Sequence, residues 1–220
     1  MPKTRPTPAP RWQRRPEARP EEILDAALAV FGEQGFAGAK LDDVARRAGV
    51  SKGTLYLYFD SKETLFREMV RARIVSAITE GEDMVRAHDG TSRELLVKLI
   101  RRMWVIVRTA EMARIGRLVQ SELGKFPELA RFYFDEVILR SRKVLEAALD
   151  RGVASGEFRR PAQPFVARGI ASLLVHSGQT QCFFAALDPT ALDDEQVIEG
   201  VVDFVLHGVL ARTPASRTRD

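Results

Sequence analysis

Beyond residue 20, apolar positions recur every three to four residues, and no stretch alternates as a strand would. Ile23, Ala27, Val30 and Phe31 share one face and predict a helix that opens at Pro20 or Glu21 and ends at Gly35. Leu41, Val44, Ala45 and Ala48 fall at i, i+3, i+4 and i+7 and predict a second helix. Leu55 and Phe59 give a short third one its inner face. Leu65, Phe66, Met69, Ile74 and Ile78 predict a long helix from Lys62 to about Arg86. After a turn and cap at Gly90, Thr91 and Ser92, helical patterns follow at about 92–109, 111–123, 127–154, 162–186 and 193–211. The breaks are Gly124/Pro127, Gly156 through Pro161, and Asp188/Pro189. The expected fold is all-α with about nine helices: a three-helix head over 20–62 and a larger helical body over 63–211. Residues 1–19 are too rich in proline and arginine to fold alone and are expected to form a disordered basic arm; residues 212–220 are expected to be a flexible tail.

Residues 41–63 carry the chemistry. Gly49 follows the second helix where a left-handed residue is needed, and glycine takes that conformation without steric cost. Val50 can tuck inward under the turn. Ser51 is suited to cap the third helix. Asp60 or Ser61 would cap the fourth, Asp60 with Glu63 having capping-box spacing. With Leu55 and Phe59 turned inward, Lys52, Gly53, Thr54, Tyr56, Leu57 and Tyr58 point elsewhere. A glycine inside a helix costs about 1 kcal/mol relative to alanine. At the first turn, its missing Cβ would let free backbone N–H groups approach a phosphate or a base edge. Lys52 and Thr54 flank that contact, Tyr56 and Tyr58 offer hydroxyls to phosphate oxygens, and Leu57 offers apolar surface to a thymine methyl. Lys62 stands at a further helix N-terminus, a second phosphate position. Each residue alone fits an ordinary turn in a helical bundle; the set, in this order, points to duplex DNA.

The stretches ILDAALAVFGEQGF (23–36), LDDVARRAGVSKGTLYLYF (41–59) and SKETLF (61–66) resemble the TetR family of bacterial transcription regulators. The resemblance covers about the first third of the chain. It implies phosphate and base contacts at Ser51, Lys52, Gly53, Thr54, Tyr56, Leu57, Tyr58 and Lys62. Relatives often place threonine just before the second helix; here Ala39 and Lys40 stand there, so the cap is lost and Lys40 offers charge alone. Leu57 departs from the polar or aromatic residue frequent at its position.

Charge sharpens the picture in one place. The net charge is only +4, yet residues 1–20 hold six basic side chains against Glu17 alone. Arg14, Arg15 or Arg19 could reach a minor groove, with Trp12 as an anchor. A lone cysteine, Cys182, allows no internal disulfide, lies in an apolar run that suggests a buried inert thiol, and fits a reducing cytoplasm. No apolar run is long enough for a membrane span, and the start lacks a signal-peptide core. His88, His176 and His207 are far apart, and neither metal-ligand spacing nor a nucleophile motif occurs. No metal site, cofactor or enzymatic activity is expected.

In the body, Phe165, Val166, Ile170, Leu173, Leu174 and Val175, and then Val197 through Leu210, are apolar almost all round. A helix apolar on every side must be covered on every side. The family resemblance implies that these last two helices, 162–186 and 193–211, form a four-helix interface in a homodimer able to meet a palindromic operator. The middle helices are rich in bulky adaptable side chains: Met103, Trp104, Val107, Met112, Ile115, Phe126, Phe132, Tyr133 and Phe134, with Phe183 further on. Arg114, Glu122, His176, Gln179 and Gln181 intersperse polar groups. Such a stripe reads as plain core or as a pocket; the resemblance implies an inducer site for a small hydrophobic effector. The sequence therefore predicts a ligand-responsive, DNA-binding repressor of the cytoplasm. The alternative is a small-molecule-binding helical protein without sequence-specific DNA binding.

Overall fold

The computed structural model describes residues 19–160 and 165–210. Within them the chain forms nine continuous helical stretches, matching the all-α expectation. The head comprises α1 (Arg19–Gly38), α2 (Leu41–Arg47) and α3 (Lys52–Tyr58). A long helix follows, made of α4 (Lys62–Val70), a π-turn (Arg71–Val75) and α5 (Ser76–Ala87). The body adds α6 (Ser92–Val107) and α7 (Ala110–Glu122). Then α8 (Pro127–Tyr133) continues through a second π-turn (Phe134–Leu139) into α9 (Arg140–Ala154). The last two helices are α10 (Phe165–Phe184) and α11 (Asp194–Val209). Of the expectations for the termini, the basic arm with Trp12, Arg14 and Arg15, and the tail at 212–220, lie outside the described residues. So do residues 162–164 of the penultimate helix.

Local chemistry explains the boundaries. Gly35 takes φ 71° and breaks α1, and Gly49 takes φ 66° in the turn between α2 and α3, as a left-handed residue should. Ser51 caps α3, its hydroxyl accepting the Thr54 N–H at 3.0 Å. Ser61 in the same way caps α4, accepting the Thr64 N–H at 3.1 Å. Of the two caps expected here, Ser61 is the one used and the Asp60–Glu63 box is not: Ser61 has the extended backbone that a cap needs, and Asp60 bonds the neighbouring hydroxyls of Thr64 and Ser61.

The two π-turns are departures from the uniform helices that the 3.6-residue pattern predicts. Each inserts extra girth into an otherwise regular helix, a feature often found beside functional sites.

The core is continuous from head to body. In the head, the rings of Phe31, Phe36 and Phe66 pack 5.3–6.5 Å apart, and all three are fully buried. Burying each such ring stabilises by about 1.5–3 kcal/mol. Phe126, at the start of α8, meets Phe36 edge-on at 4.8 Å and carries this aromatic cluster across to the body.

At the far end of the body, the chain turns after α9 and doubles back, so that Phe158 packs on Gly152 and pairs with Leu210. Glu157 in this turn accepts the N–H groups of Ser92 (2.9 Å) and Arg93 (3.1 Å), capping α6 from outside, and the Ser155 hydroxyl at 2.9 Å. The backbone donors of Ser92 and Arg93, with that hydroxyl, hold the carboxyl at about 2, against 4.5 in a free chain. A depressed folded-state value stabilises above the unfolded one and is lost as pH falls through the folded one. Between pH 4.5 and about 2 the native protein is expected to lose stability that Glu157→Gln does not lose. Melting curves of both proteins across that range check it.

Candidate DNA interface and effector cavity

The head leaves one surface open. Leu55 and Phe59 of the α3 segment are buried against α2 and the rest of the head, which turns the next positions outward. Leu57 is 83% exposed, Tyr56 45% and Tyr58 41%. Three large apolar side chains in solvent on one seven-residue helix lack an internal purpose. Lys52 and Gly53 are exposed beside them. A Cβ built on Gly53 would meet nothing closer than the Ser51 Oγ at 3.9 Å, so no internal contact demands glycine. Thr54 is half-buried, its hydroxyl 2.8 Å from that of Ser51. Lys40 is exposed at the N-cap position of α2 and makes no side-chain cap bond.

Two cations have partners that sequence reasoning missed. The Lys52 ammonium lies 2.9 Å from the Asp42 carboxylate, which raises its pKa, and 5.8 Å from the centre of the Tyr56 ring. Asp42 reads in the sequence only as a helix-start charge. Lys62 donates to the carbonyls of Ala37 (3.2 Å) and Ala39 (3.3 Å) and sits 4.8 Å over the Phe36 ring. It therefore closes the end of α1 as well as standing at the N-terminus of α4.

The body encloses a cavity of about 540 Å³, walled by the long α4–α5 helix, α6, α7, the α8–α9 helix and α10. It falls within the usual size of small-molecule sites. Met103, Val107, Met112, His176 and Gln179 line it. Four of the other named candidates lie elsewhere. Trp104 is buried in the core with the Arg108 guanidinium 5.8 Å from its ring. Phe126 faces Phe36. Phe132 is buried with Arg67 and Arg71 at 5.0 and 5.3 Å from its ring. Phe183 is on the surface under Arg117. Glu122, read as a polar group of the same region, points at the head.

Both π-turns contribute to the cavity, through Ile74 in one and Val137 and Ile138 in the other. Its polar groups include Arg102, Arg142, Arg168, Gln120 and Tyr133, and among the described residues no carboxylate lines it. Burial pushes the Tyr133 phenol up to about 12, so it is a neutral hydroxyl. Tyr133 belongs to the bulky stripe read from sequence; the arginines and Gln120 were not singled out, because helical spacing shows that a face is inward without showing what it encloses.

On the outside of α10 and α11, Phe165 and Phe204 are 73% and 72% exposed, and Phe184, the last residue of α10, is exposed as well. Among the described residues, no cluster of His, Cys, Asp or Glu could hold a metal ion. Among the same residues, no helix is long and apolar enough to cross a membrane.

A helix–turn–helix head with a bare second helix, joined by one long helix to an all-α body around an apolar cavity, defines a one-component DNA-binding regulator. The comparisons agree. The family model for bacterial regulatory proteins of the tetR family matches residues 23–69, and that for the C-terminal domain of AefR-like transcriptional repressors matches residues 94–208. The chain belongs to the TetR family, and it is a DNA-binding transcriptional repressor. It is similar to the fatty acid metabolism regulator protein of Bacillus subtilis, with 27% identity over 71% of this chain and 78% of that one. It is also similar to the repressor KstR2 of Rhodococcus jostii, with 30% identity over 64% of this chain and 68% of that one. Among solved structures, FadR of Bacillus subtilis in complex with stearoyl-CoA shares the fold at TM-score 0.70 and 23% identity, over 86% of this chain and 98% of that one. The ketosteroid regulator KstR2 of Mycobacterium tuberculosis matches at TM-score 0.66 and 25% identity, over 88% and 96%.

Proposed function

We propose that the protein is a cytoplasmic homodimer that blocks a palindromic operator and leaves it when an elongated apolar effector fills the body. The head, residues 20–62, would lay α3 in a major groove. Lys52, Tyr56, Tyr58 and Lys40 would hold phosphates. Ser51, Gly53 and Thr54 would bring the helix end close to the backbone, and Leu57 would meet base edges. Lys62 would assist from the start of α4. The single observation that carries this reading is the outward face of α3, where apolar and hydroxyl-bearing side chains are exposed around a glycine that the fold does not need.

The body, residues 63–211, would act by binding and not by catalysis. An apolar cavity with three arginines, His176 and no carboxylate among its lining fits an effector that is apolar along its length and carries an anionic group. The stearoyl-CoA bound by the Bacillus relative has that chemistry. The exposed phenylalanines of α10 and α11 would be covered by the same helices of a second copy, since self-complementary surfaces close as two-fold dimers.

Fluorescence anisotropy on duplexes selected from a random pool tests the DNA claim. Lys52→Ala is expected to weaken binding to all sequences alike and to lower the salt slope by about one unit, the signature of one lost phosphate contact. An unchanged slope would remove Lys52 from the interface. Thermal-shift titration with stearoyl-CoA and with stearate tests the effector class, because a ligand of the folded state raises its melting temperature.

A further inference from the structure

We infer that Glu122 is a positioning residue that fixes the DNA-binding head against the body. This rests on the regulator reading above and adds to it the contact that sets the head's place. Glu122 ends α7 and is 8% exposed, one of only two buried polar side chains among the described residues. One carboxylate oxygen accepts the N–H of Ala37 at 3.2 Å; the other accepts from the Lys125 ammonium at 2.8 Å. Ala37 belongs to the head, just past the break at Gly35. A Cβ on Gly35 would stand 3.4 Å from the Glu122 carboxyl, and φ 71° at that position disfavours any side chain. Glycine thus lets the end of α1 lie over the acid. The carbonyl of the same Ala37 is held by Lys62, 3.2 Å away at the start of the long helix. One peptide segment is thereby gripped from the body by a carboxylate and from the connecting helix by an ammonium.

The helix that carries Glu122 also walls the cavity, through Met112, Gly116, Val119 and Gln120. At its other end, Glu111 lies 2.9 Å from Arg73, which also reaches Glu21 (3.0 Å) and Asp25 (2.6 Å) of α1. So α7 rests on the head at both ends and on the cavity between them. The Arg73 end uses acids that are well exposed, and exposed pairs constrain geometry weakly. The Glu122 end is buried and aimed at the backbone N–H of Ala37, with that of Phe36 beside it, which fixes direction as well as distance. A displacement of α7 by a cavity occupant must be taken up at Ala37 or break this bond. That gives the two states of the head the unequal contacts that coupling requires.

The test needs no effector. Duplexes carry two copies of the half-site recovered by selection, with the spacing between them varied, and a further duplex carries one copy. The native dimer is expected to prefer its best spacing over one longer by two base pairs by about tenfold, and Glu122→Ala to reduce that ratio to within about threefold, with single-copy affinity unchanged. Glu122→Asp keeps the charge but shortens the reach, and is expected to behave as Glu122→Ala. Glu122→Gln keeps an acceptor for Ala37 and is expected to retain the native ratio. A structural role of the charge alone would reverse the order of Asp and Gln. A native-like ratio in both Glu122→Ala and Glu122→Asp, or a loss in Glu122→Gln as large as in Glu122→Asp, overturns the role. If Glu122→Ala does not fold, the Asp and Gln proteins carry the comparison. A native protein indifferent to spacing, or silent on DNA, overturns the dimeric-regulator reading itself and the role with it.

Discussion

A Gly53→Ala protein is expected to fold at least as stably as the native chain and to bind its operator about tenfold or more weakly. Both halves follow from one observation. A Cβ at position 53 enters open space, with the Ser51 Oγ at 3.9 Å as its nearest neighbour. Alanine is the better helix former by up to about 1 kcal/mol, less at a first turn than in a helix interior. The fold therefore gains slightly or not at all from glycine here. If the free N–H groups of the first turn touch a phosphate, the added methyl holds the backbone off. A hydrogen bond to a charged group is worth about 1.5–3 kcal/mol, which corresponds to the affinity loss stated. Urea denaturation and anisotropy on the same preparations measure the two effects. Undiminished operator binding would show that the end of α3 does not closely approach DNA.

Gly152→Ala should do the opposite to the fold. Its Cβ would land on the Phe158 ring, within 2.6 Å of Cγ. Phe158 has little room to retreat. It is buried, its N–H donates to the Gly152 carbonyl at 2.9 Å, and its backbone pairs with Leu210 after α11. The same turn carries Glu157, so a displaced Phe158 also pulls the cap off α6. Overpacking a rigid site costs about 1–3 kcal/mol and more when the backbone must shift, so a loss of about 3 kcal/mol is expected. The midpoint of urea unfolding reads it. Gly152→Ala with Phe158→Leu, where the smaller side chain makes room, is expected to recover part of the loss.

The head was legible because its signals are local. Gly49, Ser51 and the Leu55–Phe59 pair each fix a turn, a cap or a buried face within a few residues, and each appears as written. The run of helices in the body was legible for the same reason, through Thr91, Pro127 and Asp193 at their starts. The π-turns were not, because Met69, Ile74 and Ile78 keep an inward face whether or not a turn is widened. The cavity was half legible. Met103, Val107 and Met112 line it, whereas Trp104, next in sequence to Met103, and Phe132, next to the lining Tyr133, fill the core. Choosing between them depends on how helices distant in sequence pack. Glu122 was misplaced for that reason: its partner, Ala37, lies 85 residues earlier.

The Asp42–Lys52 pair bears on how the proposed interface would meet nucleic acid. The lysine would arrive already holding an anion, so docking there would be a swap of carboxylate for phosphate and not the capture of a bare charge. Long-range attraction at this spot would be muted, and the gain would come only when the strand is seated closely enough for the swap to complete. Random stretches of duplex, met in poor register, would then offer little reward, and the molecule would spend less of its time on them.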